Sequence, residues 1–306
     1  MGRKNRRRSM NAVPPVAAAA QRPKSPFLKH LVICAALGVL TFLAYSDSFH
    51  AGFVHDNRYI ILADSRVREA SSENINSILE HSYWWPNFET GLYRPVTTLS
   101  FLFNYAVLDN ADRPEGYHWI NFLLHFGNVL LVYLLALRFL RKIPPAVLAA
   151  ALWAVHPVLT ESVTNIVGRA DLLAAMAVLS GFLMYLKSTD SQGWRRVAWL
   201  GGLMAVTLAG VFSKESAVAI LGVIVLYEVV WWDERKQLRG LILGCAAIAP
   251  PLLVMWYVRA MIFAASQPAQ FPFVDNPLMG ASFVTSRLTA VAVIARYLWR
   301  LALPVT

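Results

Sequence analysis

The sequence has few charged residues and almost no cysteine, and both features limit the class of protein to which it can belong. Of the 306 residues, 15% are charged and 57% are hydrophobic, whereas a soluble globular domain carries about 25% charged residues. The two cysteines, Cys34 and Cys245, fall within apolar segments and lack the spacing of metal ligands, so we interpret both as structural. A chain this apolar needs lipid to cover its surface, and the composition therefore predicts a membrane protein with several spans.

Several sequence motifs of catalysis are also missing. The sequence contains no Walker phosphate loop, no glycine fingerprint for dinucleotides, no Cys/His zinc cluster and no Gly-x-Ser-x-Gly nucleophile turn. Nucleotide hydrolysis, redox chemistry with a nucleotide cofactor and serine hydrolysis are therefore not leading hypotheses. An Asp-x-Asp pair is missing too, and "HDN" at 55–57 is the nearest stretch. The sequence thus predicts no definite cofactor and no metal ligands. A divalent metal is compatible with the sequence, but no pattern of ligand residues supports one.

Eight apolar segments are long enough to predict transmembrane helices. A helix of roughly 20 apolar residues crosses a hydrocarbon layer of about 30 Å, and helices are required because backbone polar groups in lipid must be paired within their own segment. Polar residues interrupt the segments near 144–213, so we expect short, tilted or partly re-entrant spans there. The predicted fold class is an all-α polytopic membrane bundle. Its predicted spans are residues 30–48, 118–138, 144–164, 171–187, 197–213, 216–232, 240–263 and 285–303.

The chain divides into an N-terminal arm and a membrane domain. Residues 1–29 contain eight Lys or Arg, and no acidic residue precedes Asp47, so we predict a disordered, basic, cytoplasmic arm. The apolar run that follows is long for a signal peptide and lacks a clear cleavage site, which favours a signal anchor. Beside a membrane span, a basic tail is a topology signal, and we predict no nucleic-acid partner. Residues 30–306 form the predicted multi-span membrane domain.

Basic residues also predict which connections face the cytoplasm. Residues 138–145, 187–196 and 233–239 contain three cations each, whereas residues 49–117 contain five Arg and nine acidic residues. By the positive-inside rule, the first three connections are cytoplasmic and the last one faces outward. Ionisable groups at helix ends on the outward side indicate a water-filled pocket there. These outward clusters are "HDNR" at 55–58, "YRPV" at 93–96, "ESVTNIVGRAD" at 161–171, "SKES" at 213–216 and "FVDNP" at 273–277.

The outward clusters contain groups suited to group transfer, although each also has a structural interpretation. Asp56 is a candidate base or a solvated helix cap, and His55 beside it could simply bind a backbone group. Arg169 is the residue type that binds phosphate with two parallel hydrogen bonds. It could equally form a structural ion pair with Glu161 or Asp171, two acids that lie within the same stretch as His156.

Three more cations have similar alternatives. Arg94 precedes Pro95, which suits the first turn of a helix, and this arginine could bind a substrate phosphate or anchor to lipid headgroups. Lys214 could bind an anion or be neutralised by its neighbour Glu215. Arg287 lies near the last apolar segment and needs an anionic partner, for which a lipid phosphate is a natural candidate.

Six stretches together resemble one known family. They are "GFVHDNRYIIL", "YRPVTTLSFLFNYAV", "GYHWINFLLH", "AVHPVLTESVTNIVGRADLLAA", "FSKESAV" and "FVDNP…TSRLTAVAVIARYL". Their order resembles that of the transmembrane and tetratricopeptide-repeat O-mannosyltransferase-like proteins, within the C-type glycosyltransferase superfamily. The resemblance covers about residues 30–305. The sequence contains no 34-residue repeat, so we expect an incomplete member that lacks the repeat array of the family.

The resemblance implies an enzyme that transfers a sugar, here mannose, from a polyprenyl- or dolichyl-phosphate carrier to Ser or Thr hydroxyls of a protein. Transfer would occur on the non-cytoplasmic side of an endoplasmic-reticulum or bacterial inner membrane. Asp56 matches the catalytic base, although the family has a second acid where this chain has Asn57. Arg94, Arg169 and Lys214 match basic positions suited to the carrier phosphate.

One carboxylate that activates the acceptor hydroxyl predicts inversion at the sugar, with the phosphate as leaving group. His55 completes the catalytic pair in this hypothesis, and Arg287 joins the cations that bind phosphate. The alternatives are a non-catalytic membrane scaffold and a protein that binds or transports lipid-linked sugars. The expected supporting residues are Arg58, His156, Glu161, Asp171 and Glu215.

Overall fold

A computed structural model of the protein describes residues 26–87, 91–231, 238–264, 278 and 280–303. The described residues form helices and turns without a β-strand, which confirms the all-α fold class. The predicted outward cluster at 273–277 and most of the predicted basic arm at 1–29 lie outside the described residues. Eleven α-helices occur within the described ranges: α1 Pro26–Tyr45, α2 Ser72–Glu80, α3 Pro95–Leu102, α4 Glu115–Leu140, α5 Ile143–Ala154, α6 Thr160–Thr164, α7 Arg169–Thr189, α8 Gly193–Ser213, α9 Ala219–Val230, α10 Leu238–Ala264 and α11 Phe283–Ala302.

Five stretches of helix in the described chain are long and apolar enough to cross a membrane. A sixth span is formed if α5 and the helical segment Pro157–Thr164, which bends by 46° from it, are taken together. This bend agrees with the expected irregular span in that region, and the exposed apolar side chains along the helices suit contact with lipid. The chain is an integral membrane protein. The five stretches are Phe27–His50, Glu115–Leu140, Ile166–Thr189, Gly193–Ser213 and Leu238–Ala264.

Two predicted spans, at 216–232 and 285–303, do not pass the same test, so the number eight is not confirmed. Helix α9 has 12 residues, and at 1.5 Å per residue it is about 18 Å long, shorter than the hydrocarbon layer. Helix α11 contains three arginines within 20 residues, and arginine is costly at the centre of a bilayer.

Helix α7 lies at the centre of the described bundle and packs against α4, α8 and α9. Its contact with α8 is close because small residues face each other: a Cβ added at Gly210 would lie 2.5 Å from the Cβ of Ala177. Between helices in lipid, small residues allow backbones to approach and increase van der Waals contact. A buried apolar cluster lies on this side of α7 and includes Tyr185, Leu186, Leu203 and Ile224.

Residues 46–87 and 91–114 pack over one end of the bundle, which we call the loop end. A buried apolar cluster that includes Ile61, Phe101 and Tyr117 lies beneath this segment. Helix α3 begins at Pro95, as predicted, and its Thr97 hydroxyl donates a 2.8 Å hydrogen bond to the carbonyl of Ser213 at the end of α8. The loop segment is therefore fixed to the ends of the helices below it.

Helix α4 presents four polar side chains along one face, at spacings of three, four and three residues. Each of them bonds a backbone carbonyl of another segment, at distances of 2.9–3.2 Å for the closest contacts. Several of these carbonyls lie where a helix ends or breaks, and such carbonyls lack a partner within their own helix. The four residues and their acceptors are His118 with Ala51, Asn121 with Asn165 and Ile166, His125 with Ala154, and Asn128 with Leu172.

Replacing His125 with Phe is expected to destabilise the bundle. Nε2 of His125 contacts the carbonyl oxygen of Ala154, the last residue of α5, at 2.9 Å, and both residues are fully buried. A buried acceptor left without its donor costs about 1–3 kcal/mol. The melting temperature of the purified protein in detergent measures this loss. The same exchange at His50, which is exposed, is the control, and equal effects of the two exchanges would contradict the assigned role.

Candidate active site

The segment that contains Asp56 is held against the segment that precedes α7. Asn57 is buried, and its Oδ1 accepts a 3.1 Å hydrogen bond from the backbone N–H of Val167. His55 has a φ of +46°, so the chain turns sharply just before Asp56. An amide or a carboxylate at position 57 could accept this N–H, and the bond does not depend on a second charge. The loop and α7 therefore share a fixed geometry.

The Asp56 carboxylate is exposed and takes part in no hydrogen bond or ion pair with the part of the chain that the structure describes. His55 and Arg58 are exposed as well. Nε of Arg58 contacts the carbonyl of Phe53 at 3.4 Å, and neither of these two side chains binds Asp56. An unpaired carboxylate on a rigid loop remains able to accept a proton from a ligand.

Tyr83 contacts Arg94, and its hydroxyl also lies within reach of the charges of Asp56 and Arg169. Its side chain is 5% exposed, and the Arg94 guanidinium carbon lies 5.4 Å from its ring centre. Burial raises the pKa of the Tyr83 hydroxyl above its ordinary value, the charges of Arg94 and Arg169 act to lower this pKa, and those of Asp56 and Asp64 act to raise it. Charges from the clusters at 55–58, 93–96 and 161–171 thus act on one hydroxyl group at the loop end.

Arg94 belongs to an ionic triad with Glu215 and Arg259. Nη2 of Arg94 lies 2.9 Å from Oε2 of Glu215, and Nη1 of Arg259 lies 3.4 Å from Oε1 of the same carboxylate. Arg259 also contacts the carbonyl of Gly91 at 3.4 Å. Because one carboxylate is shared by two guanidinium groups, the triad has one positive charge in excess, which favours an anionic ligand.

Lys214 pairs with Asp171 and not with its neighbour Glu215. Its Nζ lies 2.6 Å and 2.7 Å from the two carboxylate oxygens of Asp171, in the first turn of α7. Lys214 therefore forms an ion pair with α7, and its neighbour Glu215 forms one with Arg94. The two ion pairs are joined through this pair of adjacent residues. Asp171 also lines a cavity of about 330 Å³ whose wall is mainly apolar. The cavity is bordered by His125, Trp153, Leu159, Ser162, Leu172, Ala174, Ala175, Val178, Leu179 and Ser216.

Arg169 is fully buried, and each of its three guanidinium nitrogens donates to a protein oxygen. Nε bonds Oδ1 of Asn121 at 2.9 Å, and Nη2 bonds the carbonyl of Tyr117 at 3.0 Å. Nη1 bonds the carbonyl of Ser100 at 3.0 Å and the side chain of Asn104. These acceptors are neutral, so the alternative in which Arg169 pairs with Glu161 or Asp171 is not realised, and Asp171 pairs with Lys214.

This network favours a structural role for Arg169. The guanidinium lies 4.8 Å from the ring centre of Phe101 in α3, and its acceptors belong to α3, the turn that follows it and α4. One side chain at the start of α7 therefore joins three parts of the loop end. A phosphate could reach it only by displacing these acceptors, so we replace direct phosphate binding by a positioning role for Arg169.

The remaining predicted residues lie apart from this group. His156 caps a turn, because its Nδ1 accepts the N–H of Val158 at 3.2 Å, and Glu161 is exposed. Arg287 is exposed on α11 and lies 4.9 Å over the ring of Phe283. Within the described ranges, Arg287 makes no ion pair with the acids of the loop end.

Two residues that shape this region, Arg66 and Asp64, were not predicted from the sequence. Arg66 and Asp64 form a buried ion pair at 2.8 Å, and Arg66 also donates to the carbonyls of Ser82, Tyr83 and Trp85. This pair fixes the turn that presents Tyr83. An acid and an arginine two residues apart in "ADSRV" are the available signal, although nothing in that stretch indicates burial. In the described residues, His, Cys, Asp and Glu do not form a group of three that could hold a metal ion.

The chain is similar to proteins named as protein O-mannosyl-transferases. It is 32% identical over 263 residues to Protein O-mannosyl-transferase Tmtc2 of Drosophila melanogaster, covering 81% of this chain and 27% of that protein. Identity to Tmtc3 of the same organism is 33% over 248 residues, with coverages of 72% and 26%. For TMTC4 of Homo sapiens the identity is 29% over 307 residues, with coverages of 86% and 40%.

The chain thus spans between about a quarter and two fifths of the length of these curated relatives. No protein-family model matches it, and no solved structure matches it.

Proposed function

Because the chain belongs to the transmembrane and tetratricopeptide-repeat O-mannosyltransferase-like family, we propose that it transfers mannose from a polyprenyl- or dolichyl-phosphate donor to a Ser or Thr hydroxyl of a protein. The observation that carries this proposal is the exposed Asp56 carboxylate, which has no hydrogen bond or ion pair with the described residues and whose charge acts, like that of Arg94, on Tyr83. The relatives are animal proteins, so the proposed site of transfer is the lumenal side of the endoplasmic-reticulum membrane.

Asp56 is the general base in this mechanism. The acceptor oxygen attacks the anomeric carbon of mannose, and its proton passes to the Asp56 carboxylate. The bond between that carbon and the phosphate oxygen breaks, and the phosphate leaves with the electron pair. A single displacement inverts the configuration at the anomeric carbon. The exposure of Asp56 and its lack of a partner among the described residues support this role, because the carboxylate can accept both the substrate and the proton.

Arg94 and Lys214 are the proposed partners of the donor phosphate. In the structure, both are neutralised by carboxylates, Glu215 and Asp171. Binding of a phosphate would compete with these carboxylates, and the excess charge of the triad of Arg94, Glu215 and Arg259 favours the anion. Positive groups fixed beside the leaving phosphate stabilise the charge that develops in the transition state. Arg287 is not part of this proposed set, because it is exposed on α11 and, in the described part of the chain, contacts Phe283 and not these residues.

The cavity beside Asp171 suits the lipid part of the donor. Its walls are aliphatic and aromatic, while Asp171, Ser162 and Ser216 supply the polar groups. The phosphate would lie at the polar side, close to Lys214, and the first isoprene units would occupy the apolar space between α4 and α7. This arrangement gives one donor molecule contact with both ion pairs.

A transfer assay with the purified full chain in proteoliposomes tests the proposal. Radiolabelled dolichyl-phosphate-mannose and a Ser/Thr-rich peptide should yield a mannosyl peptide whose anomeric configuration is inverted relative to the donor. Dolichyl-phosphate-glucose serves as the control donor. A product of retained configuration would exclude single displacement. If the chain binds the mannose donor without transferring from it, then it is a binding protein for lipid-linked sugar and not a transferase.

A further inference from the structure

The hydroxyl group of Tyr83 is buried and has no hydrogen-bond partner in the described chain. Buried polar groups are nearly always paired, and an exception needs a physical explanation. A tyrosine in an apolar core normally directs its hydroxyl to a partner or to water. Tyr93, ten residues later, follows this rule, because its hydroxyl donates a 2.6 Å bond to the carbonyl of Leu79.

The backbone and ring contacts of Tyr83 hold its unpaired hydroxyl in place. The Tyr83 backbone N–H donates to the carbonyl of Leu92 at 2.7 Å, and its own carbonyl accepts from the buried Arg66. The ring packs in the cluster that contains Ile61 and Phe101. Both the backbone and the ring are therefore fixed, and the position of the hydroxyl is set by the fold.

The charges around this hydroxyl indicate what kind of group it meets. Arg94 and Arg169 supply positive charge near it, while Asp56 and Asp64 supply negative charge. The Asp64 carboxylate is already paired with Arg66. The pKa of the hydroxyl is raised, chiefly by burial, so the phenol keeps its proton at neutral pH and can only donate to an anion. A neutral donor beside cations suits an anionic oxygen, and hydrogen bonds to charged acceptors are the strong ones.

We infer that the Tyr83 hydroxyl donates a hydrogen bond to the phosphate of the lipid-linked donor, an inference that rests on the function proposed above. The Arg94 guanidinium covers the Tyr83 ring in the structure. A phosphate that draws Arg94 away from Glu215 therefore arrives next to the Tyr83 side chain, where its oxygen can accept the hydrogen bond of the hydroxyl. Tyr83 is then a binding residue that acts together with Arg94, while Asp56 remains free to act on the acceptor.

The exchange Tyr83→Phe tests the inference by two opposite effects. Removal of a hydroxyl that has no partner leaves the melting temperature unchanged or raises it. Removal of a donor to a charged phosphate weakens binding by about 10-fold or more. The affinities of the full chain for dolichyl-phosphate-mannose and for dolichyl phosphate are measured in detergent, together with the melting temperature of each variant.

The matched control is Tyr93→Phe, which should lower the melting temperature and leave both affinities unchanged. Equal affinities in the wild type and in Tyr83→Phe would overturn the inference while leaving the proposed function intact. Weaker binding of the mannosyl donor alone would assign Tyr83 to the sugar, and this result also contradicts phosphate binding. If the wild type binds neither probe, then the proposed function itself fails.

Discussion

The exchange Asp56→Asn is expected to lower the rate of mannosyl transfer by about two to four orders of magnitude, the usual contribution of a positioned general base. Asparagine has nearly the same shape and cannot take a proton from the acceptor hydroxyl. Since Asp56 is exposed and has no hydrogen bond or ion pair with the described residues, the exchange breaks no bond in that part of the chain. Expression, membrane insertion and melting temperature should therefore stay at the wild-type level, and donor affinity should change little.

The control for this experiment is Asp112→Asn, the same exchange at another exposed aspartate of residues 46–114. It should transfer mannose at the wild-type rate. Normal transfer by Asp56→Asn would remove Asp56 from the role of base. Loss of activity together with a lower melting temperature would instead assign Asp56 to the structure of its loop.

The convergence of the outward clusters could be predicted from the sequence because it follows from topology. Spans that alternate in direction bring every second connection to the same end, and charge bias distinguishes the two ends. In the structure, ion pairs link the clusters at 93–96 and 161–171 to the cluster at 213–216, and the charge of Asp56 acts on Tyr83 beside Arg94. The cluster at 273–277 lies outside the described residues, and the shared site stays a prediction. Which end faces the cytosol stays a prediction.

The partners of the individual charges could not be predicted in the same way. The sequence suggested that Lys214 and Glu215 neutralise each other because they are adjacent. Lys214 has extended backbone angles, a φ of −157° and a ψ of 141°, and successive side chains of an extended chain point to opposite sides. Each therefore pairs with a different segment, Lys214 with Asp171 and Glu215 with Arg94.

The number of spans is not confirmed because apolar composition does not reveal where a helix stops. Residues 216–232 are as apolar as a span, yet α9 begins only at Ala219, after a short turn of 3₁₀ helix. The break before α7 likewise depends on Gly168, where a Cβ would lie 2.5 Å from the carbonyl oxygen of Ser162. Such close contacts are formed in the tertiary structure and leave little trace in periodicity.

The exchange Arg169→Lys is expected to be the most destabilising of the conservative exchanges at the loop end. Lysine has one nitrogen, whereas the buried guanidinium donates to Asn121, Asn104, Ser100 and Tyr117 at once. Several acceptors would lose their donor, and an ammonium group, which needs more solvation than a guanidinium, would be buried in its place. Loss of a partner from a buried charged network costs about 3–5 kcal/mol.

The melting temperature of the detergent-purified chain should therefore fall by far more than for Arg113→Lys, the same exchange at an arginine whose side chain is 63% exposed. Donor affinity, measured below the melting temperature, separates the two roles considered for Arg169. If the guanidinium held the phosphate, then lysine would keep the stability and weaken donor binding alone. Because Arg169 joins α3, α4 and α7, we expect Arg169→Lys to lower the melting temperature. Donor binding should weaken only at temperatures at which the loop end begins to unfold.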